Sequence, residues 1–404
     1  MSRTSFLHPF ARPAADDFTT IVRGEGARVW DDRGNTYVDA LASLWYCGVG
    51  HGRAEIAEAV AAQLCTLAAF HTFDRFTNEP AERLCARLAE LAPMPDARVF
   101  LTTSGSEAVD SAIKLARLSF AVGGEPERTL IVSRVGAYHG VTYGGLSAGG
   151  LPLNQAGFGP LLGGVLLVPA HDLDALAAVL REHEGRVAAV LAEPVIGAGG
   201  VHPAEPGELV GIRTLCDEAG ALFVADEVIC GFGRLGHWFG VQRHGVVPDL
   251  VTFAKGVTSG YQPLGGVLVG RRVAEPLEAD PELVLRHGHT YSGHPASCVA
   301  AEAVLGILEG EGLLDRADVI GARLSAGLRS IDGLAEVRGE GAVWAAGLPE
   351  GLDAALVRDR MMDRGVIARH LGPSTVAFCP PLVISDGDVD RCVEALADAV
   401  RRCR

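Results

Sequence analysis

The chain has 404 residues, of which 48% are hydrophobic and 21% charged, with a formal net charge of -15. That acidity excludes the basic face that nucleic acid demands and the polybasic stretch that anchors a chain to anionic lipid. Nine cysteines, odd in number, scattered and without a C-x-x-C pair, suit a reduced cytoplasmic chain better than a disulfide framework or a zinc site.

The opening residues, MSRTSFLHPFARP, carry no apolar core of signal-peptide length, and no stretch reaches the ~18 apolar residues of a membrane span. Residues 21–40, IVRGEGARVWDDRGNTYVDA, read as a small meander that turns at Asp32-Arg33-Gly34-Asn35. Short apolar runs then predict buried strands at 98–102, 129–133, 164–169, 187–193, 221–225, 250–254 and 265–270. Helical stretches at 106–118, 173–183 and 208–218 fall between them. Such alternation predicts βαβ units and a mostly parallel, seven-stranded sheet covered on both faces. From Ser297 a long helix leads into a mixed tail. The expected architecture is α/β, with a large domain at 56–296 and a smaller α+β domain made by both termini, 1–55 and 297–404.

Two ionisable residues end consecutive strands, where open α/β sheets bind ligands. Asp226 closes ALFVAD and Lys255 closes LVTFAK, with no acid in the ten residues after the lysine. Singly, the acid reads as a helix cap and the lysine as a side chain that snorkels to water. Together they suggest one chemistry. A lysine in an apolar pocket sheds its proton readily and becomes an amine able to form a Schiff base. Pyridoxal phosphate needs that lysine, an acid at its ring nitrogen and an anion cradle. TTSGSEAVDSAIKLAR, residues 102–117, offers the cradle, since Ser104-Gly105-Ser106 opens a helix whose free N–H groups attract phosphate. The same Ser-x-x-Glu is also an ordinary capping box.

These stretches carry a resemblance. SGSEA at 104–108, AYHG at 137–140, AEPVIGAGG at 192–200, VADEVICGFGR at 224–234, TFAKG at 252–256 and HTYSGHP at 289–295 resemble the class III (ω-) aminotransferases. These are pyridoxal-phosphate enzymes of fold type I, and the likeness spans residues 21–382. It implies that Lys255 carries the cofactor as a Schiff base and shuttles protons, with Asp226 partnering the pyridinium nitrogen. It further implies that Val228 and Tyr138 flank the ring, that Gly105 and Ser106 hold the phosphate, and that His139 and Glu193 lie close by. Thr290 matches the residue that reaches a phosphate across a dimer interface, so a homodimer with shared sites, or a tetramer of such dimers, is implied.

Other signals compete. GFGRLG at 231–236 satisfies G-x-G-x-x-G, but the following HWFGVQRHGVVP cannot supply the helix a dinucleotide site requires. His287, His289 and His294 lack neighbouring acids at metal-ligand spacing. Trp45 reads either as core or, by the resemblance, as a wall of the substrate pocket. Arg369 reads as a surface residue, or, within RHLGPS, as the arginine that grips a substrate carboxylate in pyruvate-using ω-aminotransferases. Between Val337 and Met361 the chain is shorter than the family pattern, in the part of the small domain that the resemblance places over the pocket.

The expected reaction moves an amino group from a primary amine or ω-amino acid to a 2-oxo acid, pyruvate first among them, by ping-pong chemistry. Rival readings keep the cofactor and change the reaction. They are an adenosylmethionine-8-amino-7-oxononanoate aminotransferase, a 2-oxoglutarate-dependent diamine or ornithine-type enzyme, an aminomutase and a dialkylglycine-type decarboxylase. A more distant one is a cofactor-binding regulator, for which no helix-turn-helix or basic patch is read before Ile21.

Overall fold

A seven-stranded sheet forms the centre of the computed structural model, which describes residues 5–403. In spatial order its strands are Arg98–Thr102, Gly265–Val269, Leu250–Phe253, Leu222–Asp226, Val187–Ala192, Leu130–Arg134 and Val165–Val168. Gly265–Val269 pairs antiparallel with both its neighbours, and every other pairing is parallel. Val187–Ala192, Leu222–Asp226 and Leu250–Phe253 are buried at every position. That is why their sequences read as continuous apolar runs: both faces of the sheet are covered.

Helix Gly105–Val122 follows the edge strand Arg98–Thr102. Ser104 caps it by accepting the Glu107 N–H at 3.2 Å. Glu107 reaches back to the N–H and hydroxyl of Thr103 at 2.8 and 2.6 Å. Such caps stabilise a helix start by about 1 kcal/mol. Here the cap also fixes where the helix begins, at the glycine beside the strand ends.

The N-terminal meander is made of Ile21–Glu25, Arg28–Asp31 and Thr36–Asp39, paired antiparallel in order. Its turn is organised by Asp31, whose carboxylate accepts the N–H of Arg33 at 3.0 Å and of Asn35 at 2.8 Å. Thr36–Asp39 then pairs in parallel with Val366–Ile367, so both ends of the chain share one sheet. A second antiparallel sheet holds Glu336–Glu340, Val343–Gly347, Thr375–Phe378 and Arg369–Leu371. The shortened stretch is a tight hairpin here: Gly341, at φ +52°, sits so close to Arg234 that a Cβ would lie 2.6 Å from its carbonyl oxygen. The long helix runs from Pro295 to Gly310 and packs on Ala54–Thr66 and Glu79–Leu91. Among the described residues no helix is long and apolar enough to cross a membrane.

Candidate active site

Parallel pairing places Asp226 beside Thr252, three residues before Lys255. Asp226 is buried, and its carboxylate is fully engaged. Oδ1 accepts the Val228 N–H and the Thr252 hydroxyl, each at 3.1 Å. Oδ2 lies 2.7 Å from His139 Nδ1. Because a carboxylate only accepts, His139 carries its proton on Nδ1, and its Nε2 meets the Ser133 hydroxyl at 3.1 Å.

Lys255 opens a single 3-10 turn, with φ at +47°, a left-handed conformation rare for a residue with a side chain. Strained backbone of this kind concentrates at functional sites. Burial pushes the ammonium's pKa down, opposed by the charges of Asp226 and Glu193. Among the described residues its Nζ has no hydrogen-bond or ion-pair partner. The arrangement therefore holds an amine ready to lose its proton.

Glu193 is buried at the end of Val187–Ala192, accepting the N–H of Tyr138 at 3.1 Å and of Gly197 at 2.9 Å. Burial raises its pKa, while nearby His139 lowers it and Asp226 raises it further. Its own backbone carbonyl is held by Arg134, itself paired with Glu208 at 3.0 Å.

These groups line one cavity of about 170 Å³, together with Gly105, Ser106, Tyr138, Gly140, Val228 and Ile229. At its floor a Cβ on Gly105 would stand 2.9 Å from a Val228 methyl, so only glycine leaves the space open. Gly140, at φ +109°, is equally closed by Ser106. The Gly105 and Ser106 N–H groups, first in their helix, take no acceptor among the described residues, which leaves an anion site. Ser106 Oγ accepts the Val141 N–H at 3.0 Å, clasping the two loops together. A free N–H pair, an unpartnered lysine and a buried carboxylate in one small cavity fit pyridoxal phosphate: phosphate, aldehyde and ring nitrogen each have a complement.

Three other sequence candidates lie outside this cavity's lining. Trp45 is buried in an apolar cluster that also holds Cys230, Val195, Val343 and the cavity-lining Ile229. Arg369 is half-buried near Tyr138 and has no counter-ion among the described residues; burial and the like charge of Arg358 push its pKa down, opposed by Tyr138. Thr290 is exposed. Its neighbours His287 and His289 both bond Ser111, and His287 also meets Lys114 at 2.8 Å. No helix opens after GFGRLG, which is a series of turns leading only to the four-residue Gly240–Arg243. Sequence reasoning missed Thr252, Ser133 and Ile229. Strand pairing was the available signal for Thr252; nothing local marks the other two.

The profile of the aminotransferase class-III family matches residues 10–400. An acetylornithine aminotransferase of Xylella fastidiosa is 36% identical, covering 100% of this chain and 98% of its own. A putrescine–pyruvate aminotransferase of Pseudomonas aeruginosa is 34% identical over 94% of this chain and 91% of its own. An amine transaminase from an uncultivated Pseudomonas species, solved in its PLP-bound form, superposes with a TM-score of 0.94 at 36% identity and 100% coverage of both chains. With a cavity suited to its cofactor and matches along almost its whole length, the chain belongs to the class III aminotransferases, which work with pyridoxal phosphate.

Proposed function

We propose that this pyridoxal-phosphate aminotransferase takes its amino group from a primary amine or ω-amino acid and delivers it to pyruvate. The observation that carries the amino-transfer chemistry is the buried, unpartnered Lys255 amine sharing a cavity with the fixed Asp226 carboxylate. Bound pyridoxal phosphate supplies an aldehyde for the donor's amine and a ring that draws electrons from the carbon bearing it. Lys255 Nζ, its proton loosened by burial, would accept a proton from that carbon and pass it on to the cofactor's aldehyde carbon, so that the amino group stays behind. Asp226, held by Thr252, Val228 and His139, keeps its negative charge turned toward the ring-nitrogen position. The Gly105 and Ser106 N–H groups bind the phosphate. Tyr138 and Val228 close the two faces and exclude water.

The Arg369 guanidinium, without a counter-ion among the described residues, supports a small 2-oxo acid as acceptor, because its planar fork matches a carboxylate. The putrescine–pyruvate relative points the same way. The acetylornithine relative favours a second reading, with a 2-oxo diacid as acceptor. Incubation of the holoenzyme with a panel of amines plus pyruvate or 2-oxoglutarate separates them. Alanine is the expected product; glutamate without alanine overturns the acceptor assignment.

A homodimer with shared sites is part of the proposal. Thr72, in the stretch FHTFDRF whose Phe70, Phe73 and Phe76 are exposed at 47%, 45% and 46%, donates to the Ser292 carbonyl next to the exposed Tyr291. Exposed aromatic side chains near Tyr291, the neighbour of Thr290, support a protein contact there. The nine cysteines, none of them in a disulfide among the described residues, support a cytoplasmic location.

A further inference from the structure

The turn that carries Trp45 is strained in a way nothing in its own sequence repays. Ala42, Ser43 and Trp45 all hold positive φ, at 48°, 60° and 67°. Ser43, with ψ at -87°, falls near the γ-turn of positive φ, a rare conformation for any residue with a side chain. One buried carboxylate organises it. Asp39 accepts the Leu41 N–H at 3.2 Å and the Ser43 N–H at 2.6 Å. Its Oδ2 also lies 2.8 Å from His51 Nε2.

His51 is fixed in turn. Its backbone N–H and carbonyl pair with Gly26 at 2.8 and 2.9 Å, in the loop between the first two strands of the meander. Its pKa is pushed up to about 10, first by the Asp39 hydrogen bond and next by that with the Cys47 thiol. A charged imidazole thus steadies Asp39 at neutral pH. Asp39 also stands opposite Ile367 in the parallel pairing, and Ala40 donates to the Ile367 carbonyl at 2.9 Å, two residues before Arg369. The same short framework therefore sets Trp45 and Arg369 relative to each other.

We propose that Asp39 and His51 are positioning residues for donor selection: their pair holds the turn 41–45 in its strained form and so keeps Trp45 in the apolar cluster it shares with the cavity-lining Ile229. The inference rests on the reading of Trp45 as part of the donor pocket. Released from Asp39, the turn relaxes toward ordinary backbone angles, Trp45 shifts, and space opens for a larger donor.

Holoenzyme kinetics with pyruvate test it, using isopropylamine as a small donor and 1-phenylethylamine as a bulky one. Asp39→Asn is expected to raise the kcat/KM ratio of bulky to small donor by about tenfold or more, mainly through KM, with cofactor absorbance retained. Trp45→Gly is expected to raise the same ratio, and the double variant to exceed neither single one. If Trp45→Gly shifts the ratio but a cofactor-loaded Asp39→Asn does not, or if the two effects multiply, the positioning role is overturned. If Trp45→Gly itself leaves the ratio unchanged, the pocket reading fails instead. Should Asp39→Asn not fold, His51→Leu and His51→Gln replace it: leucine should shift the ratio while glutamine, which still donates to Asp39, should restore it. Equal ratios for the two variants would overturn the proposal.

Discussion

His139 and Asp226 stand 87 residues apart in the chain and 2.7 Å apart in the fold, both buried. The imidazole donates to one carboxylate oxygen, while Thr252 and the Val228 N–H occupy the other. A carboxylate held this firmly can present charge to a ring nitrogen without having to reorganise. Asp226→Asn should therefore lower kcat/KM by on the order of 100- to 1,000-fold, the usual cost of losing a preorganised charge. His139→Asn should cost less, because Thr252 and Val228 still hold Asp226. Steady-state kinetics of the two variants, with melting curves to confirm folding, give the comparison.

The chain contains only two lysines, at 114 and 255. Borohydride reduction of the holoenzyme followed by digestion should place a pyridoxyl group on the peptide containing Lys255 and none on the peptide containing Lys114. Because burial lowers the Lys255 pKa, the apoenzyme's Lys255 should also react with amine reagents at lower pH than the ordinary lysine value of about 10.4 allows. Mass spectrometry reads both outcomes.

Gly105 tests the cofactor cradle through space alone. Gly105→Ala puts a methyl 2.9 Å from Val228 Cγ1. Overpacking of that kind costs about 1–3 kcal/mol, so cofactor affinity should fall by roughly tenfold to a hundredfold. Val228→Ala removes the obstructing methyls, and the double variant should recover part of the loss. Equilibrium titration of apoenzyme with pyridoxal phosphate measures it.

Arg369 separates the two half-reactions. Its guanidinium has no counter-ion among the described residues, so its loss should spare the fold. Removing a charged hydrogen-bond donor to a carboxylate costs about 1.5–3 kcal/mol. Arg369→Ala should accordingly raise KM for pyruvate by roughly tenfold to a hundredfold and leave KM for an amine lacking a carboxylate nearly unchanged.

His51 gives the protein a pH-dependent contribution to stability. Its folded pKa of about 10 lies above the unfolded value of about 6.5, so the native state holds this proton more tightly. The contribution is complete below about pH 6.5 and is lost as pH rises toward about 10. The titratable groups facing it are Asp39 and Cys47. His51→Gln should melt below the wild type near neutral pH, and the gap should close as pH approaches about 10. Melting temperatures of both proteins across that range are the check.

The sheet was legible residue by residue. Arg98–Thr102 matches its expected span, and the other six strands differ from theirs by one residue at one or both ends. Their apolar runs, capping residues and bounding glycines are local features, and local features survive in a linear string. The strand-end positions of Asp226 and Lys255 followed from the same pattern. So did the Gly105–Ser106 helix start, because a capping box is written within four residues.

What a sequence cannot write is which distant groups come to share a carboxylate, because that depends on pairing register and packing across the whole chain. Asp226 meets Thr252 through the parallel register of neighbouring strands, and His139 through a loop from elsewhere in the sheet. Trp45 is pressed into an apolar cluster and Thr290 lies exposed outside its own chain's cavity, two outcomes that their residue types do not distinguish. Asp39 and His51 carried no motif at all; they gain a role because the fold brings one acid to a strained turn and to a histidine anchored on the meander. Periodicity decided the architecture, and a few short motifs with their family resemblance pointed to the cofactor chemistry, since both are written in short stretches of chain. The tertiary structure alone decided the electrostatic partners and the shape behind the cavity, since charge and sterics act through space rather than along the chain.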